Sequence, residues 1–149
     1  MKTKTIGNKL LIGRAEWCSL VNLGIPLIKA KIDTGAKTSA IHAFNMKSYI
    51  KNKIDYVAFD IFPLQGDSDK LIKCVAPIID ERFITSSNGH KELRYVIKTD
   101  LFIANKHWPI ELTLSNRDPL RYRILLGREA LNKKVIIDPS LNCNQGKLS

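Results

Sequence analysis

The sequence predicts a mainly β protein: a small closed or nearly closed barrel with a projecting hairpin and one short helix. Three observations carry this expectation. Apolar residues recur at every second position along four stretches, turn signals separate those stretches at short intervals, and helix signals are few. Closure follows because an open sheet would leave unpaired edges that template aggregation. The short turns between the stretches imply antiparallel β.

Taken along the chain, Asn22-Leu23-Gly24 is a turn that leads into the first strand, where Ile28, Ala30 and Ile32 alternate with Lys29 and Lys31. Phe44 to Ile50 is read as a turn of helix. Val57, Phe59 and Ile61 alternate with Tyr56, Ala58 and Asp60 as a second strand, closed by the turn signal Gln65-Gly66-Asp67. Ser86-Ser87-Asn88-Gly89 then sits between extended segments, so a projecting β-ribbon is expected around residues 80–98, with a type I′ turn at Asn88-Gly89. In its second limb Leu93, Tyr95, Ile97 and Leu101 form the inward phase against Arg94, Lys98 and Asp100. Ala104-Asn105-Lys106 turns the chain into a fourth strand, Trp108, Ile110, Leu112 and Leu114, which Asn116-Arg117-Asp118-Pro119 ends. Arg128 to Lys134 holds good helix formers after a glycine, with cations toward its end, and predicts about two turns of helix. The polar tail 140–149 is expected to be loose.

A length of 149 residues suits one domain, 1–149, with no linker, repeat or low-complexity segment. Hydrophobic residues at 44% and charged residues at 26% are ordinary for a globular chain, whereas a formal charge of +10 is not. A cationic surface attracts anions, either an acidic peptide or nucleic acid. The 24 Lys and Arg are scattered in singles and pairs without an aromatic-rich RNA motif, which disfavours nucleic acid. Cys18, Cys74 and Cys143 are odd in number and widely spaced, unlike a disulfide framework or a thiolate zinc site, and they imply a reducing compartment. No signal-peptide pattern opens the chain and no run of eighteen apolar residues occurs, so a cytoplasmic protein without a membrane partner is expected.

The chemistry-bearing feature is Asp33-Thr34-Gly35-Ala36, a carboxylate at the end of a hydrophobic strand. A carboxylate that activates water must be held in place and partly desolvated. The Thr34 hydroxyl offers a hydrogen bond within the loop or to a symmetric copy, Gly35 allows a conformation and close approach that a Cβ would forbid, and Ala36 leaves room for a substrate. Asp-Thr-Gly is also simply a good turn. Further along the chain, Leu125-Leu126-Gly127-Arg128 precedes the predicted helix.

Acid loop, hairpin and apolar-Gly segment, in that order, resemble the retropepsin-like aspartic proteases. The likeness sharpens with Lys31 to His42, Val75 to Arg82, Trp108 to Arg117 and Ile124 to Arg128, which resemble the bacterial family named "ATP-dependent zinc protease", a retropepsin-like family, over about residues 10–139. The resemblance implies an aspartic peptidase in which Asp33 is the general acid/base, supported by Thr34 and Gly35. It further implies substrate contacts from Ala36, Lys37, Asn88, Gly89, His90 and Lys91, with Gly127 and Arg128 as structural supports. Two acids that commonly follow this loop in viral relatives are replaced here by Lys37 and Thr38, so Arg128 must find another partner and the subsite becomes basic.

Neither zinc nor ATP is expected despite the family's name. His42, His90 and His107 lie far apart outside any His-Glu-x-x-His pattern, and no Gly-x-x-x-x-Gly-Lys-Ser/Thr phosphate loop is present. No cofactor is predicted. An aspartic protease needs two carboxylates sharing a proton, and Asp60, Asp67, Asp69, Asp80, Asp100, Asp118 and Asp138 all lack the Asp-Thr-Gly context. A two-fold homodimer would supply the second Asp33. The resulting expectation is a dimeric peptidase acting on peptide or isopeptide bonds, of acidic polyglutamate-tailed substrates in particular, with an ATP-grasp ligase as a partner. The competing reading is an inactive protease-fold module that binds an acidic peptide or that ligase.

Overall fold

The computed structural model describes residues 3–64, 70–86, 88–116 and 121–147. Among these residues thirteen strands run in chain order: β1 (Thr5–Ile6), β2 (Lys9–Ile12), β3 (Ala15–Leu20), β4 (Ile25–Ile32), β5 (Ser39–His42), β6 (Phe44–Lys51) and β7 (Ile54–Ile61). They continue as β8 (Ile72–Pro77), β9 (Asp80–Thr85), β10 (Lys91–Ile103), β11 (Lys106–Ser115), β12 (Ile124–Leu126) and β13 (Val135–Ile137), with one helix, α1 (Arg128–Leu131). Among the described residues no helix is long and apolar enough to cross a membrane.

The expected barrel is present. Its strands follow the order β11-β5-β12-β4-β3-β10, and β10 pairs back onto β11 to close the ring. Alternation drives the closure: Trp108, Ile110, Leu112 and Leu114 of β11 are buried, as are Ile28 and Ala30 of β4 and Ile97, Leu101 and Ile103 of β10. Fully burying each of the Ile and Leu side chains contributes roughly 1.5–3 kcal/mol. Two three-stranded sheets, β6-β7-β8 and β1-β2-β13, add Val57, Phe59, Ile61, Leu10 and Ile12 to the same hydrophobic cluster.

Pairing is not antiparallel throughout. β12 runs parallel to β4, β5 parallel to β11, and β13 parallel to β2. Short turns fix the pairing of sequence neighbours, whereas these partners are distant in the chain and meet by crossover. The parallel β4–β12 pair also positions the acid loop, as described below.

The predicted ribbon is formed by β9 and β10, in register from Val96↔Asp80 to Lys91↔Thr85. Its turn differs from expectation. Of Asn88 and Gly89 only Gly89 takes a positive φ, +83°, and the Gly89 amide donates to the Ser86 carbonyl at 2.9 Å. A type I′ turn would need positive φ at both; the Asn88 side chain instead accepts from the His90 amide at 3.2 Å, which favours the longer loop. The inward phase also fails beyond the barrel, where Leu93 is 53% exposed and lies opposite the exposed Phe83. A projecting ribbon has no core on either side to enforce the alternation.

Three further expectations are corrected. Phe44 to Ile50 is strand rather than helix, because it pairs along β7, with Asn45 at φ +52° where the register shifts. α1 is a single turn of four residues, since Lys133 takes φ +67° and redirects the chain into β13. The tail is tied down through 147. The wholly buried Glu16 carboxylate accepts from the amides of Gly13 (2.8 Å), Asn144 (2.8 Å) and Gln145 (3.0 Å), and Lys147 lies 4.7 Å over the Trp17 ring. The turn signals Gln65-Gly66-Asp67 and Arg117-Asp118-Pro119 lie outside the described residues.

Candidate active site

β4 reaches its end alongside β12, with Ala30, Lys31 and Ile32 opposite Ile124, Leu125 and Leu126. The last rung is the Asp33 amide donating to the Leu126 carbonyl at 2.9 Å, after which the chain turns. The turn is closed by the Gly35 amide donating to Asp33 Oδ1 at 2.9 Å and the Ala36 amide donating to the Asp33 carbonyl at 3.3 Å. One carboxylate oxygen is thereby held by the backbone, and Oδ2 has no partner among the described residues. Gly35 does not use left-handed backbone. Its role is close approach, since a Cβ there would lie 3.1 Å from Asp33 Oδ1. The Thr34 hydroxyl makes no hydrogen bond to a described residue, and its side chain faces outward.

Gly127 is the second close approach. A Cβ there would stand 2.7 Å from the Thr38 carbonyl oxygen and 2.8 Å from that of Ala36. The space is needed because the start of α1 satisfies its amides on the loop: Arg128 donates to the Ala36 carbonyl (2.8 Å) and Glu129 to the Lys37 carbonyl (3.1 Å), while Gly127 donates to Ser39 Oγ (3.0 Å). Arg128 finds its replacement partner in the backbone, Nη1 donating to the Thr34 carbonyl at 2.8 Å. Lys37 pairs with Glu129 at 3.8 Å, an exposed contact of small energetic value.

A cavity of about 880 Å³ opens over the loop. Asp33, Gly35, Ala36 and Lys37 line one side, and the β9 limb of the hairpin, Arg82 to Ser86, lines another. The tip residues Asn88, Gly89, His90 and Lys91 are exposed and are not among its lining residues. Arg82 and Arg94, both lining the cavity, were missed although the basic positions of the ribbon were visible. Arg82 donates to Asp80 and to Glu111, each at 2.7 Å, and Arg94 donates to Glu92 at 3.1 Å. The bond from Arg82 first, and the one from the Glu81 amide second, hold the Asp80 carboxyl below its usual range.

The histidines have separate surroundings: His42 stacks on Phe44 with centroids 6.0 Å apart, His107 on Phe102 at 4.8 Å, and His90 is at the hairpin tip. Among the described residues no group of three or more His, Cys, Asp or Glu is placed to hold a metal ion. Asp60 is buried and engaged by Asn45 Nδ2 at 2.9 Å and Lys73 at 3.8 Å.

A barrel whose parallel strand pair ends on Asp-Thr-Gly, locked to an apolar-Gly segment under a hairpin, is a fold of the retropepsin-like aspartic protease class. A crystal structure of a Legionella pneumophila protein of unknown function matches it with a TM-score of 0.74 and 25% identity, over 91% of this chain and 97% of the other. The family model described as "RimB-like: Retropepsin-like aspartic endopeptidase RimB" matches residues 11–147, and the chain belongs to that family. Curated relatives bear the name "Probable alpha-L-glutamate ligase". That of Desulfotalea psychrophila is 49% identical over 141 residues, 95% of this chain, and that of Parasynechococcus marenigrum 43% identical over 140 residues, 94% of it. The chain spans about 30% of the length of these relatives.

Proposed function

We propose that the protein is an aspartic peptidase that works as a homodimer and cuts peptide or isopeptide bonds in acidic, glutamate-tailed substrates. The observation that carries this reading is the Asp33 carboxylate, pinned through Oδ1 and facing a large cavity beneath the hairpin. Each chain has one such loop, so a two-fold axis would bring two Asp33 side chains to share one proton. The ionised carboxylate takes a proton from a water held between them, and the water oxygen bonds to the substrate carbonyl carbon. The protonated carboxyl gives its proton to the carbonyl oxygen. Collapse of the tetrahedral intermediate breaks the C–N bond, the departing nitrogen taking the proton gained from water and one hydroxyl proton of the gem-diol returning to the other carboxylate. The charge of +10 favours acidic chains. The name borne by the relatives supports glutamate as the repeating unit, and with it a ligase partner.

Wild type and Asp33→Asn are to be compared on polyglutamate-tagged and untagged peptides, with and without a chelator. Asp33→Asn should lower turnover by about 10²–10⁴-fold or more, and chelation should leave the wild type unchanged. Undiminished turnover in Asp33→Asn would sink the aspartic mechanism.

The second reading is a silent binding module, favoured by the match to a 30% portion of ligase-named proteins. It predicts a monomer that binds acidic peptide and cleaves nothing.

A further inference from the structure

A second concavity, of about 630 Å³, lies on the same barrel face as the Asp33 cavity. Its wall carries Arg14, Lys31, Arg121 and Arg123, with His42 and Tyr122 beside them, and among the described residues no Asp or Glu lines it. Among the described residues none of these four cations forms an ion pair. Arg14 is fixed by donating from Nη1 to the carbonyls of Pro139 (3.4 Å), Ser140 (3.3 Å) and Leu141 (3.3 Å), contacts that leave its charge uncompensated. Arg121 stands 5.7 Å from the Tyr122 ring centroid. Arg123 Nε is buried with no hydrogen-bond partner among the described residues, which is costly unless a ligand or solvent satisfies it. Converging like charges repel, and a bound anion relieves that repulsion.

The placement links this wall to the acid loop. Lys31, Leu125 and Ala40 lie side by side on β4, β12 and β5, and both Leu125 and Ala40 line both concavities. In the parallel register of β12 with β4, Arg123 stands four positions before the level of Asp33, about 13 Å of extended chain. An extended peptide crosses that distance in about four residues.

We infer that the cavity walled by Arg14, Lys31, Arg121 and Arg123 is an anion subsite that grips side-chain carboxylates of an acidic peptide, about four residues from the bond lying over Asp33. The assignment deepens the peptidase reading and rests on it for the position of that bond. Guanidinium groups suit carboxylates because two parallel N–H donors match two oxygens. A single Tyr122 among the lining residues offers no stacking track for successive bases, which favours peptide over nucleic acid.

The test is fluorescence anisotropy of a labelled eight-residue oligoglutamate on the full chain carrying Asp33→Asn, so that binding is read without cleavage. Arg121→Gln and Arg123→Gln should each weaken binding at least about fivefold, a charge-assisted contact's worth. Arg123→Lys should retain part of it, Lys98→Gln none of the loss, and oligoglutamine should not bind. Unaltered binding in the Arg121→Gln/Arg123→Gln double variant would overturn the subsite, as would an equal loss in Lys98→Gln or tighter binding of a single-stranded oligonucleotide of the same charge. Should a Gln variant fail to fold, unlabelled oligoglutamate titrated into the wild type must shift the NMR signals of Arg123 Nε–H and the Tyr122 ring; shifts confined elsewhere overturn it. Binding intact in a wild type that cleaves nothing would remove the peptidase reading and leave the subsite.

Discussion

At the scale of single residues, ionisation is set by neighbours that the sequence does not place. Burial first, and the nearby Glu16 charge second, push the Cys18 thiol up to about 12; burial and then Asp60 do the same for Cys74. A thiol that is not ionised does not alkylate. Iodoacetamide at pH 8 should therefore leave Cys18 and Cys74 unmodified in the native protein and label them in denaturant, as mass spectrometry of peptides would show. Asp80 moves the other way, its carboxyl depressed chiefly by Arg82. A depressed folded-state pKa means that the contact favours folding above the ordinary value of 3.8 and that this contribution is lost as pH falls through the lower folded value. An NMR titration should find the Asp80 midpoint below 3.8 in the wild type and shifted upward in Arg82→Gln.

At the scale of elements, the site is an agreement between two segments that are far apart in the chain. The Asp33 loop offers the carbonyls of Ala36 and Lys37, and the start of α1 offers the amides of Arg128 and Glu129. Gly127 makes the approach possible, because backbone atoms stand where its Cβ would be. Gly127→Ala should destabilise the protein by about 1–3 kcal/mol, since backbone on both sides must shift, and the urea midpoint should fall accordingly. Should the midpoint stay put, the packing of α1 on the loop is looser than these distances require. The exposed Lys37–Glu129 pair, in contrast, carries little stability.

At the scale of the whole molecule, one acid loop per chain would make the proposed peptidase activity a property of assembly. Were the peptidase a homodimer, specific activity would fall on dilution through the dimer dissociation constant, in step with the mass measured by light scattering. A mixed dimer of wild type and Asp33→Asn should lose nearly all of the wild-type dimer's rate, because the proton-sharing pair needs both carboxylates. Full activity in a monomer would show that the second carboxylate comes from elsewhere. The cationic surface bears on the same scale: raising ionic strength should slow the processing of acidic substrates more than that of neutral ones.

Local information in the sequence was enough to determine the β class, the hairpin, the strand that ends on Asp33 and the glycine that follows Leu126. Period-two alternation and turn chemistry are properties of neighbouring residues, so they are written in the chain. The same locality explains the misreadings. Phe44 to Ile50 lies on an outer sheet where most of its side chains are exposed, so its pairing with β7 left little apolar signature. The tail looked loose because nothing near it in sequence reveals that Glu16 accepts its amides. Only the tertiary structure decided the parallel pairing of β4 with β12 and the substitution of the Thr34 carbonyl for a missing acid at Arg128. It alone brought Arg14, Lys31, Arg121 and Arg123 to one wall. Each of these joins residues remote in the chain, and such contacts are fixed by how the barrel closes rather than by any local preference.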